Sequence, residues 1–244
     1  MKLAAFDLEI ASSFPDDHIE FSRLVRLGIT CAAVALSDQH LPQLWKRHPR
    51  LSVDECIELV NALGRYANAG YTLVTWNGCQ FDFQVLAGES GLYEQCGRLA
   101  WEHVDMMAMV TFTKGYFLSL EKALIGAGLG GKQKSVTLRS GRVLNGMDGS
   151  LAPELWAQGE TEAVLSYLKE DVLQTLRLAQ SVLSQRRIRW TSNRGTPQEA
   201  HFERLFTIRE CFGFPLPDVS WMSSPPRREQ FTAWIPDSVK TQQR

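Results

Sequence analysis

The chain has 244 residues, of which 44% are hydrophobic and 22% charged, a composition typical of a globular protein in water. No apolar run reaches the roughly 20 residues that a membrane-spanning helix needs, so we expect no contact with the membrane interior. Acidic residues soon interrupt the apolar N-terminal run, and we expect no signal peptide. Five cysteines without a C-x-x-C pair favour neither a zinc site nor disulfides, and they fit a reduced, cytoplasmic location.

Charge is unevenly distributed along the chain. Residues 186–244 contain ten Lys and Arg against six Asp and Glu, whereas residues 1–185 contain 16 against 21. An acidic body followed by a basic segment is compatible with an enzyme that binds metal ions and a polyanion. A split of this size also arises by chance, so the charge pattern alone leaves both interpretations open.

Apolar periodicity and turn residues predict a series of strands and helices. The predicted strands are residues 3–10, 27–36, 43–46, 71–76 and 101–104. The predicted helices run from a Ser52–Glu55 capping box to about Asn68, begin near Phe81 and near Asp105, and cover residues 116–128 and 160–185. Strands that alternate with helices indicate an α/β domain whose mixed sheet has five to six strands flanked by helices.

Two segments show weaker periodicity. Four glycines between residues 126 and 131 begin a stretch that we expect to remain flexible to about Ser150. Residues 186–244 are rich in proline, and a single helix is predicted there, from Gln198 to Cys211. A separate domain of that size would be marginally stable, so we expect an irregular extension packed on a domain formed by residues 1–185.

Four acidic residues occupy positions where an unpaired charge is costly. Asp7 and Glu9 lie two residues apart in the first predicted strand, so both side chains point to one face of the sheet. Asp82 follows the fourth strand, at the edge where α/β proteins usually bind ligands. Asp171 lies one helical turn from Tyr167 on the last long helix. A divalent cation would stabilise such carboxylates, and Mg²⁺ or Mn²⁺ prefers oxygen ligands.

Each of these features has an ordinary structural explanation when it is taken alone. A pair of acids suits a solvated strand end, an acid suits the start of a helix, and a tyrosine with a polar partner suits a core. The set is more informative, because D-x-E, N-x-x-x-F-D and Y-x-x-x-D each occur once, in that order.

In these three motifs the sequence resembles the DEDD-type 3′–5′ exonucleases of the RNase H-like superfamily. It is similar to the tyrosine (DEDDy) subgroup, which includes the proofreading domains of family B DNA polymerases. The resemblance covers about residues 1–185, and its motifs are Asp7 with Glu9, Asn77 to Asp82, and Tyr167 to Asp171. It implies an RNase H-like fold and a hydrolase that releases nucleoside 5′-monophosphates from single-stranded 3′ ends, with DNA favoured over RNA.

The resemblance also implies roles for individual residues. Two ions, Mg²⁺ or Mn²⁺, would be held by four catalytic carboxylates, Asp7, Glu9, Asp82 and Asp171. Tyr167, the fifth catalytic residue, would orient the attacking water. The expected substrate contacts are Leu8, Ile10, Asn77, Phe81, Lys132 and Lys134. Ile10 departs from the family pattern, which often has threonine there, so a hydroxyl contact with the substrate's end is expected to be missing.

Other interpretations remain open. The two lysines belong to a basic run that suits either phosphate contact or a solvated loop. A non-catalytic or weakly active module with the same fold would bind nucleic acid without useful turnover, although binding alone would not favour costly buried acids. The proline- and tryptophan-containing segment 212–236 is also a candidate site for a protein partner.

Overall fold

The computed structural model describes residues 1–13 and 26–241. The strands are β1 (Lys2–Ile10), β2 (Ile29–Leu36), β3 (Gln43–Lys46), β4 (Tyr71–Thr75), β5 (Val104–Asp105), β6 (Ser135–Thr137), β7 (Val143–Asn145), β8 (Arg187–Thr191) and β9 (Pro197–His201). The helices are α1 (Val53–Asn68), α2 (Asp82–Ser90), α3 (Tyr93–Glu102), α4 (Met106–Lys114), α5 (Leu120–Gly126), α6 (Ala152–Ala157), α7 (Thr161–Gln185), α8 (Ile208–Cys211) and α9 (Asp237–Lys240). Within the described ranges, none of the helices is long and apolar enough to cross a membrane.

The central sheet has five strands in the order β3-β2-β1-β4-β5. β4 pairs in parallel with β1 and β5, whereas β2 pairs antiparallel with β1 and β3. The molecule is therefore an α/β protein with a mixed sheet, as predicted. β2 is buried along its whole length, because helices cover both faces of the sheet.

The two faces of β1 meet different helices. Phe6 packs against Phe83 of α2 on one face, with their ring centroids 5.4 Å apart. Alternation along the strand places Asp7 and Glu9 on the opposite face, where α7 packs across β1 and β2. The parallel pairing with β4 ends at Ala5, so the two acids lie at the carboxyl edge of the sheet.

Strong local signals located most of the elements correctly. The capping box at Ser52 and Glu55 is present, and α1 ends at Asn68. α7 follows the predicted boundaries to within one residue. α5 is shorter than predicted, because Ser119 caps its N-terminus. The stretch expected to be flexible up to Ser150 instead contains the β6–β7 hairpin and a 3₁₀ turn at Gly149–Leu151.

Residues 101–104 do not form the predicted strand. Trp101 and Glu102 belong to α3, and β5 consists of only Val104–Asp105. α3 was not predicted because its buried residues, Cys96, Gly97 and Ala100, are small, and because glycine disfavours helix.

Residues 198–211 do not form the predicted helix. β9 pairs antiparallel with β8, and α8 covers only Ile208–Cys211 after a capping box from Thr207 to Glu210. Ile188 and Trp190 alternate with more exposed residues along β8, which is the period of a strand. The intervening basic residues hid this period in the sequence.

Two glycines allow the C-terminal segment to approach the preceding helices closely. A Cβ at Gly126, the last residue of α5, would lie 1.8 Å from the carbonyl oxygen of Arg189 in β8. A Cβ at Gly115 would lie 2.2 Å from the side chain of Val219, and its φ of +81° is unfavourable for other residues. The segment after α7 therefore packs directly against α4 and α5, and its short helices contact α3.

Candidate active site

Asp105 holds the loop between β4 and α2 in place. Its buried carboxylate accepts hydrogen bonds from the backbone N–H groups of Asn77 and Cys79, each at 3.0 Å. It also accepts two bonds from N–H groups in the first turn of α4, at 3.0 and 3.1 Å. Burial raises the pKa of Asp105 and these four bonds oppose the rise. Asp105 therefore links the start of α4 to the loop that leads into Asp82.

A buried pair of side chains fixes the beginning of the same loop. His103 Nδ1 lies 2.6 Å from the carbonyl oxygen of Ala100, so Nδ1 carries the hydrogen. His103 Nε2 then accepts a hydrogen bond from the Thr75 hydroxyl at 3.0 Å, and that oxygen accepts one from Gly78 N–H at 3.1 Å. Burial lowers the pKa of His103 to about 4, so the neutral ring positions the loop rather than transferring protons.

The C-terminal segment reaches the loop from the outside. Trp234 donates its indole N–H to the carbonyl oxygen of Cys79 at 2.8 Å. The thiol of Cys79 donates to the carbonyl oxygen of Phe231 at 3.3 Å. Residues far apart in the chain therefore set the backbone path that ends at Asp82.

Asp82 and Asp7 meet where α2 begins beside β1. The backbone N–H of Leu8 donates to both carboxyl groups, to Asp82 Oδ1 at 3.0 Å and to Asp7 Oδ1 at 3.1 Å, so the two acids lie side by side. Burial, followed by repulsion from Asp171, raises the pKa of Asp7 to about 6. Burial and the charge of Asp7 also raise the pKa of Asp82.

Glu9 and Asp171 complete the group of acids. Glu9 is 7% exposed, and burial together with the charges of Asp7 and Asp171 raises its pKa. Asp171 is 2% exposed, and its Oδ1 atom is buried without a hydrogen-bond partner among the described residues. Buried carboxylate oxygens normally have a partner, so a cation or a hydrogen-bond donor is expected beside this atom.

Lys132 supplies a cation inside this group. Its Nζ atom lies 2.6 Å from Asp171 Oδ2 and donates a hydrogen bond to the hydroxyl oxygen of Tyr167, also at 2.6 Å. Burial lowers the pKa of Lys132, but its contacts with Asp171 and Tyr167 together outweigh this effect, and the net change is upward. Burial and the charge of Asp171 raise the pKa of Tyr167, so its phenol is neutral.

Asp7, Glu9, Tyr167 and Asp171 thus lie within electrostatic range of Lys132, and Asp82 lies beside Asp7. We call the acids Asp7, Glu9, Asp82 and Asp171 the carboxylate cluster. Lys132 was predicted as a contact for substrate phosphate, and the structure places its ammonium against the cluster instead. Its position depends on Glu121, which accepts the backbone N–H of Lys132 at 2.6 Å and pairs with Lys134 at 2.8 Å.

The other predicted substrate contacts lie in different environments. Leu8 and Ile10 are 3% and 4% exposed, so their side chains belong to the core and only their backbone is near the cluster. Asn77 has a φ of +70°, and its side-chain Oδ1 is buried without a hydrogen-bond partner in the described part of the chain. Phe81 is half-buried and immediately precedes α2.

Sequence reasoning missed Asp148. Its charge raises the pKa of Glu9 after the effects of burial and the nearer acids. The side chain caps the 3₁₀ turn at Gly149–Leu151, and a Cβ at Gly149 would lie 3.9 Å from Glu9 Oε2. An Asp followed by Gly-Ser is a recognisable turn signal, but nothing in its spacing connects it to β1.

The ligand chemistry of the cluster suits a hard divalent cation. The ammonium of Lys132 pairs with Asp171 alone among the four acids, and one buried oxygen of Asp171 lacks a partner within residues 1–13 and 26–241. Across those ranges, however, no three or more His, Cys, Asp or Glu side chains are already arranged to hold a metal ion. The residues therefore fit Mg²⁺ or Mn²⁺ by donor type, and closing around an ion would require the carboxylates to reorient.

Comparison with models of known protein families gives no match. Comparison with curated proteins gives none either.

Proposed function

We propose that the protein is a metal-dependent 3′–5′ exonuclease of the DEDDy type. In this proposal it hydrolyses the terminal phosphodiester of single-stranded nucleic acid, DNA rather than RNA, and releases nucleoside 5′-monophosphates. The supporting observation is that β1, α2 and α7 bring the carboxylate cluster and Tyr167 to one edge of the sheet. A five-stranded mixed sheet flanked by helices is also compatible with an RNase H-like fold.

The roles of the residues follow from their protonation states and contacts. When bound by the carboxylate cluster, Mg²⁺ or Mn²⁺ would lower the pKa of the attacking water and neutralise charge on the leaving oxygen. Tyr167 is a neutral phenol held by Lys132, so it orients water rather than removing its proton. Lys132, the cation nearest to Asp171, is suited to stabilise the charge of the phosphate under attack.

A module that binds nucleic acid without useful turnover is the second candidate. The ion pair between Lys132 and Asp171 favours it, because the ammonium already neutralises part of the charge that an ion would neutralise. The free and buried state of all five cysteines supports a reducing compartment, and we propose the cytoplasm for either function.

The test is a time course on matched DNA and RNA strands labelled at the 5′ end, with Mg²⁺, Mn²⁺ or EDTA. We expect the DNA strand to shorten one nucleotide at a time from its 3′ end, and only with metal. Asp7→Ala should reduce the rate by at least roughly a hundredfold without unfolding the protein.

Asp54→Ala is the matched control, because it removes an exposed acid from the first turn of α1. Its rate should equal that of the wild type. Undiminished cleavage by Asp7→Ala, or no cleavage by the wild type with either ion, would overturn the proposal.

A further inference from the structure

A cleft of about 930 Å³ adjoins the carboxylate cluster. Asn77 and Lys132 line it, and the same Lys132 contacts Asp171 and Tyr167, so Lys132 lies between the cleft and the cluster. Its volume lies in the range of roughly 300–1,000 Å³ that is usual for ligand sites.

Five aromatic residues line this cleft, including Tyr116, Trp190 and Trp221. The Tyr116 ring lies 6.3 Å from that of Trp190 and 6.3 Å from that of Trp221, with interplanar angles of 74° and 66°. Trp190 is buried, whereas Trp221 is 67% exposed and the neighbouring Phe117 is 50% exposed. The buried Trp190 therefore supports the half-buried Tyr116 and the exposed Trp221, which both line the cleft and leave ring surface for a planar ligand.

Polar groups in the cleft suit a phosphorylated, hydrogen-bonding ligand. Two lysines line it, Lys122 and Lys132, against a single acid, Glu121. Lys122 donates to the side chain of Asn193, which also lines the cleft. Stacking surfaces beside cations are the features by which proteins bind unpaired nucleotides.

We propose that this cleft binds the unpaired nucleotides next to the 3′ end, with their bases stacked on Tyr116 and Trp221. The proposal deepens the exonuclease function and rests on it. Trp190, Asn193 and Trp221 come from residues after 185, outside all three sequence motifs. The C-terminal segment is thereby part of the substrate site rather than only a structural cover.

The test measures equilibrium binding of a short fluorescent oligothymidylate by anisotropy, in EDTA so that metal-dependent cleavage does not intervene. Trp221→Ala and Tyr116→Ala should each weaken binding about tenfold, the usual effect of losing one stacked base. Trp221→Phe keeps a ring and should stay within about threefold of the wild type. Tyr93→Ala removes an exposed aromatic side chain that does not line the cleft, and it should have no effect.

A strand with abasic sites separates stacking from charge attraction. The wild type should bind this strand more weakly than Trp221→Ala binds the intact strand, because the contacts of both rings are lost, and Trp221→Ala should bind the abasic strand as weakly as the wild type does. Equal binding of the intact strand by Trp221→Ala and wild type would overturn the inference, and a docking site for protein would then be the better explanation of the exposed tryptophan. Because Trp221 is exposed, this variant stays informative if Tyr116→Ala proves unstable.

The two proposals fail in different ways. Loss of binding in Trp221→Ala together with no metal-dependent cleavage by the wild type would support this site and overturn the exonuclease. Normal cleavage and normal binding by Trp221→Ala would support the exonuclease and overturn this site.

Discussion

The free-energy cost of burying the carboxylate cluster is clearest at Asp7. Its pKa rises from 3.8 to about 6, because burial and the charge of Asp171 disfavour the ionised form. Without a metal ion, each step toward full ionisation of the cluster costs folding free energy. Lys132 offsets part of this cost through its ion pair with Asp171. The native protein thus keeps a destabilising arrangement, which is typical of a binding or catalytic site.

The pKa of Asp7 predicts how stability depends on pH. A folded-state pKa above the unfolded value gives stability that is present below about pH 4 and is lost as pH rises through about 6. Asp7→Asn removes this term while keeping an oxygen for the N–H of Leu8. In EDTA, the variant should gain roughly 3 kcal/mol relative to the wild type between pH 4 and pH 8, measured by urea unfolding.

At each pH, the unfolding free energy of Asp7→Asn must be compared with that of the wild type. His103 has the opposite effect on stability over the same pH range. Its pKa is lowered to about 4 in the folded protein, so the free energy of unfolding falls as the pH falls. Its effect cancels in the difference between the variant and the wild type. A difference that stays constant from pH 4 to pH 8 would contradict the burial of an ionisable Asp7. Adding Mg²⁺ at pH 8 should stabilise the wild type more than the variant.

At the level of elements, local sequence signals correctly predicted those helices and strands that local interactions stabilise. α1 was found from its capping box, α7 from its long apolar stripe, and β1 from its apolar run. The β8–β9 hairpin and α3 were missed because contacts distant in sequence stabilise them. Gly97 of α3 packs against Ile235 and Pro236, 138 and 139 positions further along the chain. Such contacts cannot be identified from the sequence of the segment itself.

The same distinction explains how much of the site was predictable. Two-residue spacing in a strand and four-residue spacing in a helix placed Asp7, Glu9 and Asp171 correctly on their faces. The contact of Lys132 with Asp171 was not predictable, because it depends on the path of a glycine-rich loop held by Glu121. Asp105 was taken only as the start of a helix, since its bonds to the Asn77 loop appear only in three dimensions.

The approach of β8 to α5 provides a test of element packing. Gly126→Ala would place a Cβ 1.8 Å from the carbonyl oxygen of Arg189, so one backbone must shift. We expect unfolding free energy to fall by about 2 kcal/mol or more, measured by denaturant titration. Gly64→Ala is the matched control, because a Cβ there meets nothing within 4 Å in α1. It should gain up to about 1 kcal/mol, and equal effects at both sites would contradict the close packing.

For the molecule as a whole, the segment after α7 completes the main body. It contributes Phe231, which is fully buried, and the aromatic contact of Phe231 with Phe112 of α4 has centroids 5.2 Å apart. It also supplies Trp234 to the loop before Asp82 and Trp190 to the wall of the cleft. Core, loop and cleft therefore depend on one another, and loss of the segment should affect all three.

Substitution of Arg228 tests whether the core and the loop before Asp82 depend on the segment after α7. Its guanidinium donates to the carbonyl oxygens of Phe112 in α4 and of Phe214 and Pro215 in the segment, each at 2.7 Å. Arg228→Leu leaves these acceptors without a donor, and we expect a loss of about 3 kcal/mol in denaturant unfolding together with faster hydrogen exchange at Cys79. Arg194→Leu, at an exposed turn, should change stability by less than about 0.5 kcal/mol. Faster exchange confined to residues 212–236, with Cys79 unchanged, would show that the segment is only a cover.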